Sequence, residues 1–131
     1  MKIDISTGEL VDKVTILAIK LEKIKDPAKI ENIRKEYALL LEPMEACGIG
    51  VDAQGFTALK EVNLKLWEIE DKIRIKEAEK AFDNEFIELA RSVYFTNDQR
   101  ADIKKRINLE TGSELVEEKE YVDYANNGAA S

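Results

Sequence analysis

The stretch STGELVDKVTILAIKLEKI, Ser6–Ile24, decides the fold of this chain. It opens on a capping box, in which the Ser6 hydroxyl accepts from the Glu9 amide and the Glu9 side chain reaches back to the Ser6 amide. Apolar residues then recur at alternating spacings of four and three, at Leu10, Val14, Leu17, Leu21 and Ile24. This period predicts an α-helix packed along a seam. Further apolar groups lie outside the seam, at Val11, Ile16, Ala18 and Ile19. Few directions stay polar, so we expect a helix that is central or packed on two sides.

Three more helices follow from the pattern. Asp26-Pro27 ends the first helix and starts the second, with Asp26 as N-cap and Pro27 at the first helical position. The turn is so short that these two helices must be antiparallel neighbours. The apolar stripes of the later helices are Ile30, Ile33, Tyr37, Leu40, Leu41 and Met44; Leu59, Val62, Leu66, Ile69 and Ile73; and Phe86, Ile87, Ala90, Val93 and Tyr94. The last two stripes are roughly 220° out of phase, which predicts a break near Asp83-Asn84 with Asp83 as N-cap.

The segment RSVYFTNDQRADIKKRIN, Arg91–Asn108, places a second capping-box pattern, Thr96-Asn97-Asp98-Gln99, between aromatic and basic residues. It predicts a fresh helix start at Thr96, stopped by Gly112. The acidic segment 113–124 is weakly periodic and allows one short helix, and we expect 126–131 to be disordered. The prediction is therefore all-α: an antiparallel bundle of four main helices in one domain, 1–125, with the fourth interrupted near Thr96 and a short acidic C-terminal tail.

Composition limits the chemistry. Acidic residues outnumber basic ones, 27 to 20, and the formal net charge of −7 argues against a nucleic-acid partner. The chain has no His and one cysteine, Cys47, so we expect no zinc or other metal site, no cofactor and no Cys–His nucleophile. We interpret Cys47 as a small buried apolar residue. No apolar run approaches the roughly 18 residues of a membrane span, and the start does not read as a signal peptide. We expect a cytoplasmic protein without a membrane partner.

A polar row accompanies the apolar stripe of the third helix, at Asn63, Trp67, Glu70, Arg74 and Glu77. The spacing of four and three puts these residues on one face, where Glu70 and Arg74 can pair. Such rows beside a seam select partner helices by charge, so we interpret Asn63, Glu70, Arg74 and Glu77 as an interhelical polar network. The alternative, acid–base catalysis, lacks an accompanying His or nucleophile.

A second polar pattern consists of carboxylates. Glu68 and Asp71, then Glu85 and Glu88, loosely resemble the metal-binding arrangement of all-α nucleotide pyrophosphohydrolases. A magnesium site needs carboxylates that converge inside the bundle. These four fall outside the apolar stripes of their helices, so we interpret them as solvated faces and expect no catalytic residues among them.

The basic cluster around Thr96 is a candidate ligand site. A helix that started there would present free amides and a positive dipole end to an anion. The candidate ligand-binding residues are Arg91, Asn97, Asp98, Arg100 and Lys104. Phosphate or a nucleotide sugar would suit them. The alternative is that these cations pair with the acidic tail, where Glu117, Glu118 and Glu120 offer partners.

Four stretches together resemble a family of short bacterial proteins of unknown function: ISTGELVDKVTILAIKLEKI, LWEIEDKIRIKE, FIELARSVYFTNDQRADIKKRIN and SELVEEKEY. The resemblance spans essentially the whole chain and implies a stand-alone cytoplasmic bacterial protein, without indicating an activity. From the residues, we expect a non-catalytic interaction module, most simply a homodimer, because the first helix carries more apolar surface than a small bundle readily covers. An unknown protein partner is also compatible with this pattern. The alternative is a binder of a small anionic ligand, or an accessory enzyme subunit, that uses the basic cluster within 91–104.

Overall fold

The computed structural model describes residues 1–120 and 122–123, and it is built from four helices. These are α1, Thr7–Lys23; α2, Pro27–Ala46; α3, Gln54–Ala78; and α4, Asn84–Thr111. The all-α, four-helix prediction is confirmed. No helix in the described part of the chain is both long and apolar enough to cross a membrane.

The helix ends follow the predicted local chemistry. Ser6 Oγ accepts from the Glu9 amide at 3.1 Å, Asp26 Oδ1 from the Ala28 amide at 3.0 Å, and Asp83 Oδ1 from the Phe86 amide at 3.0 Å. Pro27 opens α2, where its missing N–H leaves no hydrogen bond unmade. The last helix ends at Gly112, whose φ of 64° is the left-handed conformation that glycine adopts without strain.

Helix α1 is central. It contacts all three other helices, α3 and α4 contact each other, and α2 packs closely only against α1. The core around it consists of Leu10, Val11, Val14, Met44, Phe56, Leu59 and Ile107. The expectation of a central helix is confirmed, but the argument that α1 leaves apolar surface for a second chain is wrong. Val11 and Val14 are fully buried within one chain, because three neighbours cover α1 from different sides.

The predicted interruption near Thr96 is absent, since α4 is unbroken from Asn84 to Thr111. Thr96 is 2% exposed and belongs to an inward stripe with Arg100, Lys104 and Ile107, at spacings of four, four and three. The capping-box pattern was misleading because the residues before Thr96 are already helical. The amides after Thr96 therefore bond to backbone carbonyls within the helix and need no side-chain cap. The two cations of the stripe face inward because their partners on α1, Asp12 and Glu9, are acidic.

Two smaller expectations also fail. Cys47 is exposed rather than buried, and it follows directly after the last residue of α2. Residues 113–120 and 122–123 form no helix. The expected disordered tail, 126–131, lies outside the described residues.

Helices α3 and α4 extend beyond the core as a two-helix arm, residues 70–95. Its inner residues, such as Ile73, Phe86 and Val93, are only half-buried, and no residue of the arm is fully buried. Lys76 Nζ ties the two helices together at the tip through Asp83, at 2.9 Å, and Glu85, at 3.2 Å. The hydrogen bond that Lys76 donates to Asp83, partly offset by burial, raises the pKa of Lys76.

Candidate functional site: a polar seam between α1 and α4

Polar groups concentrate where α1 crosses α4, and we call this contact the seam. At one end of the seam are the first backbone amides of α1. The Thr7 amide donates to Ser113 Oγ at 3.1 Å, and the Gly8 amide donates to Asn108 Oδ1 at 2.6 Å. Together with the Ser6 cap, these contacts satisfy three of the amides that a helix start leaves free. A Cβ atom at Gly8 would overlap the carbonyl oxygen of Lys104, so this crossing requires glycine.

One turn further along α1, Asp12 is buried, and both of its carboxylate oxygens accept hydrogen bonds. Its side chain is 1% exposed, and Arg100 approaches it through Nε, at 2.9 Å, and Nη2. Asn63 of α3 donates from Nδ2 to Asp12 Oδ1 at 2.8 Å and to Thr15 Oγ1 at 2.9 Å. The Thr15 hydroxyl in turn donates to the Asp12 carbonyl oxygen at 2.7 Å. A bidentate Arg–carboxylate contact is both strong and directional, so this network joins α1, α3 and α4 in one register.

Lys104 is the centre of a second group of ion pairs in the seam. Its side chain is 11% exposed, and its ammonium group contacts Glu9 Oε2 at 2.7 Å and Glu117 Oε2 at 3.2 Å. Burial alone lowers the pKa of Lys104, but the hydrogen bond to Glu9 and the charges of Asp12, Glu9 and Glu117 outweigh it and raise that pKa overall. The same contact with Lys104 lowers the pKa of Glu117. The two ion pairs of Lys104 link α4 to α1 and to the segment that follows α4.

These contacts define what the seam can do chemically. The hydrogen bonds to Asp12 raise the pKa of Arg100, so the guanidinium stays charged, and the Asp12 side chain that it contacts is 1% exposed. Among residues 1–120 and 122–123, no group of three or more His, Cys, Asp or Glu residues is arranged to hold a metal ion. The seam therefore fixes the relative placement of three helices, and its charges are balanced within the chain.

The structure separates the residues of the predicted anion site. Arg91 is exposed and pairs with Glu88 at 3.0 Å. Arg100 lies nine residues later, about half a turn around the helix, and faces α1. Asn97 and Asp98 are both half-buried. Asp98 lies on nearly the same side of the helix as Arg91, seven residues earlier, whereas Asn97 lies between the two directions. Arg100 and Lys104 do come together, but with carboxylates as partners, and the Lys104–Glu117 pair agrees with the alternative that these cations bind the acidic tail.

The predicted polar row of α3 is also divided. Asn63 belongs to the buried network around Asp12, whereas Glu70, Arg74 and Glu77 are exposed. Glu77 pairs with Lys80 at 3.5 Å, and no ion pair joins Glu70 to Arg74 within the described residues. The four residues are not brought together as one interhelical network. The carboxylates Glu68, Asp71, Glu85 and Glu88 are all exposed.

The sequence-based prediction missed six residues of the seam: Gly8, Glu9 as an ion-pair partner, Asp12, Thr15, Asn108 and Ser113. Asp12 carried a usable signal, because it is an acidic residue inside the most apolar helix of the chain. A buried carboxylate requires a cation or several hydrogen-bond donors, and Arg100 is on the helix that closes the bundle. Asn108 carried no comparable signal, since an asparagine near a helix end is common at exposed positions.

Comparison with known proteins places the whole chain in one group. A family model described as a family of unknown function (DUF6165) matches residues 1–131. This confirms the resemblance drawn from the four sequence stretches. No curated protein and no solved structure gives a match.

Proposed function

The chain belongs to this family of unknown function, DUF6165, and from that premise we propose that it is a non-catalytic assembly module whose partner is a second copy of itself. We place it in the bacterial cytoplasm, a reducing compartment in which its exposed cysteine persists as a thiol. The net charge of −7 supports a protein partner over a nucleic acid.

The arm, residues 70–95, is the observation that carries this proposal. It exposes five large apolar side chains: Ile75 at 58%, Phe82 at 55%, Ile87 at 50%, Tyr94 at 42% and Phe95 at 40%. None of its residues is fully buried. Helices in proteins are stabilised mainly by packing of an apolar face, which the arm achieves only in part within one chain. Exposed apolar surface of this kind is typical of interaction sites.

The outward face of α4 within the arm has the spacing of a helix-packing seam. Ile87, Arg91 and Tyr94 follow one another at intervals of four and three, so they line up along one exposed stripe. The Tyr94 ring packs against Phe95, with ring centroids 5.1 Å apart. The contact of Arg91 with Tyr94 and Glu88 raises the pKa of Arg91, which keeps a cation in the middle of the stripe.

Charge pattern supports a partner of the same kind. Both acidic and basic side chains occur along the arm, as at Lys72, Arg74, Glu77, Glu79 and Lys80. Two such arms packed antiparallel would place opposite charges at the rim of an apolar contact. Charged rims of this type set orientation and specificity more than affinity.

Light scattering across a wide concentration range tests the proposal. We expect a mass about twice the 14.9 kDa of one chain at high micromolar concentration. The double variant Ile87→Glu/Tyr94→Glu should stay monomeric, because it puts two carboxylates into the contact. The matched control is Leu39→Glu on α2, which changes a side chain that is 72% exposed but lies outside the arm. A wild-type chain that stays monomeric throughout, or a Leu39→Glu variant as impaired as the double variant, contradicts the proposal.

The alternative of an anion binder or enzyme subunit built on 91–104 gains no support from these contacts. Its two inward cations, Arg100 and Lys104, already hold carboxylates of the same chain.

A further inference from the structure

A small cleft lies beside the C-terminal half of α4, far from the arm. It measures about 130 Å³, and its walls include Lys104, Lys105 and Asn108 of α4. Ala101 and Asp102 of α4 also line it, and the rest of the wall comes from the segment that follows α4, residues 113–120, which we call the strap. The strap contributes Lys119 and two glutamates. Three lysines therefore line one cleft in an acidic protein, together with three carboxylates, Asp102, Glu117 and Glu118.

The strap places two consecutive glutamates over two consecutive lysines. Glu117 contacts Lys104 at 3.2 Å, and Glu118 contacts Lys105 at 3.5 Å. Both distances exceed the 2.7 Å between Lys104 and Glu9 of α1. Glu118 and Lys105 are 75% and 50% exposed, and exposed ion pairs contribute little. Glu9 is thus the fixed counter-charge of Lys104, while the strap carboxylates are replaceable.

Asn108 supplies a second, independent observation. It is 2% exposed, and its Oδ1 accepts from the Gly8 amide, which fixes the orientation of the side-chain amide. The two N–H groups of Nδ2 have no acceptor among the described residues. Among the described residues no side-chain nitrogen or oxygen is both sealed from solvent and unpaired, so Nδ2 keeps some access to solvent, and the cleft is the opening that Asn108 lines. A buried amide donor that faces a lysine-lined cleft is arranged for an anionic acceptor.

We propose that this cleft binds a small phosphate, either inorganic phosphate or a terminal phosphomonoester, in place of the strap carboxylates. Lys104, Lys105 and Lys119 would donate to its oxygens together with Asn108 Nδ2. The strap acts as an internal competitor, because Glu117 and Glu118 present carboxylate oxygens to the same ammonium groups. This site lies beyond the sequence-predicted cluster and shares only Lys104 with it.

The chemistry fits a phosphate better than a larger anion. A phosphomonoester carries up to two charges and three acceptor oxygens, so one group can satisfy several lysines at once. A cleft of 130 Å³ has the volume of about four water molecules, which accommodates a tetrahedral oxyanion but not a nucleotide base. The proposal does not depend on self-association, since the arm and the cleft share no residue.

Nuclear magnetic resonance of the full-length chain tests it, with the side-chain amide signals of Asn108 as reporters. Inorganic phosphate is titrated at constant ionic strength, with sodium chloride as the control salt. A parallel titration with glycerol phosphate distinguishes binding of a monoester from binding of the free ion. The variant Glu117→Gln/Glu118→Gln removes the competitor. If the strap covers the site nine-tenths of the time in the wild-type chain, the apparent affinity of this variant for phosphate should be roughly tenfold higher.

The matched control is Glu114→Gln/Glu120→Gln, which removes the same charge from the strap at two glutamates that contact no lysine in the described residues. We expect the wild-type affinity for this control. Lys105→Gln/Lys119→Gln, at positions about half exposed, should weaken binding at least fivefold without unfolding the chain. The proposal is overturned if Asn108 signals do not move in the Glu117/Glu118 variant. It is equally overturned if the Glu114/Glu120 control tightens binding as much, or if sodium chloride alone produces the shifts.

Discussion

Arg100 on α4 holds the carboxylate of Asp12 on α1 in a two-point contact, through Nε at 2.9 Å and through Nη2. The Asp12 side chain is 1% exposed and the Arg100 side chain 29%. The carboxylate therefore sits inside the bundle, while the guanidinium reaches it from a partly open side. Because Asn63 of α3 donates to the same carboxylate, this pair sets how three helices meet.

Removal of the arginine should destabilise the fold strongly. We expect Arg100→Leu to lower the free energy of unfolding by about 2–4 kcal/mol, because it leaves a buried carboxylate without its cation. The double variant Asp12→Leu/Arg100→Leu should lose much less than the sum of the two single variants. Urea unfolding of the three variants measures this coupling.

The matched control for Arg100 is Arg74→Leu, which changes an exposed arginine of α3. It should alter stability by less than about 0.5 kcal/mol, as surface substitutions usually do. If Arg100→Leu proves no more costly than Arg74→Leu, the Asp12–Arg100 pair does not hold the three helices in register.

The close crossing of α1 and α4 depends on one missing side chain. We expect Gly8→Ala to destabilise the protein by about 1–3 kcal/mol, because the new methyl group would force the Lys104 carbonyl away. Helix propensity acts in the opposite direction by up to about 1 kcal/mol. Thermal unfolding distinguishes the two effects. Gly50→Ala is the control, since its Cβ would meet only the movable side chain of Asp52. A stabilised Gly8→Ala variant would show that the helices are not in close contact at this point.

The contact between Glu117 of the strap and Lys104 should weaken at acidic pH. Contact with Lys104 lowers the pKa of Glu117 below its ordinary value of 4.5. A carboxyl group with a lowered pKa contributes stability above its unfolded-state pKa, and loses it as pH falls through the folded-state value. The raised pKa of Lys104 keeps the ammonium charged across this window. We therefore expect the Glu117 carboxyl signal to titrate with a midpoint below 4.5.

Carbon-detected magnetic resonance follows that titration directly. In the variant Lys104→Met the midpoint of Glu117 should return toward 4.5, because its largest stabilising contact is gone. A wild-type midpoint at or above 4.5 would mean that the strap does not rest on Lys104.

Local chemistry in the sequence was enough to predict the helices. The caps at Ser6, Asp26 and Asp83 rest on short-range hydrogen bonds that a few adjacent residues determine. The central position of α1 followed from its nearly all-round apolar pattern. In contrast, Thr96 shows the limit of such reasoning, since a capping-box pattern has meaning only where a helix actually begins.

The seam could not be predicted in the same way, because it depends on pairs far apart in the sequence. Nothing local indicates that Gly8 meets Asn108 or that Asp12 meets Arg100. The helical period does place Arg100 and Lys104 on one face, but it does not say whether that face meets solvent or α1. The cations therefore looked available to an external anion, whereas the folded chain supplies their counter-charges itself.

Hydrogen exchange at low and high protein concentration tests the central claim most directly, since that claim is that a second copy covers the arm. Amides that a partner covers exchange more slowly as association increases. We expect peptides within residues 70–95 to gain protection at high concentration, with peptides from α1 and α2 unchanged. The Ile87→Glu/Tyr94→Glu variant should lose this dependence. Equal exchange of the arm at both concentrations, in a wild-type chain that remains folded, would contradict the account.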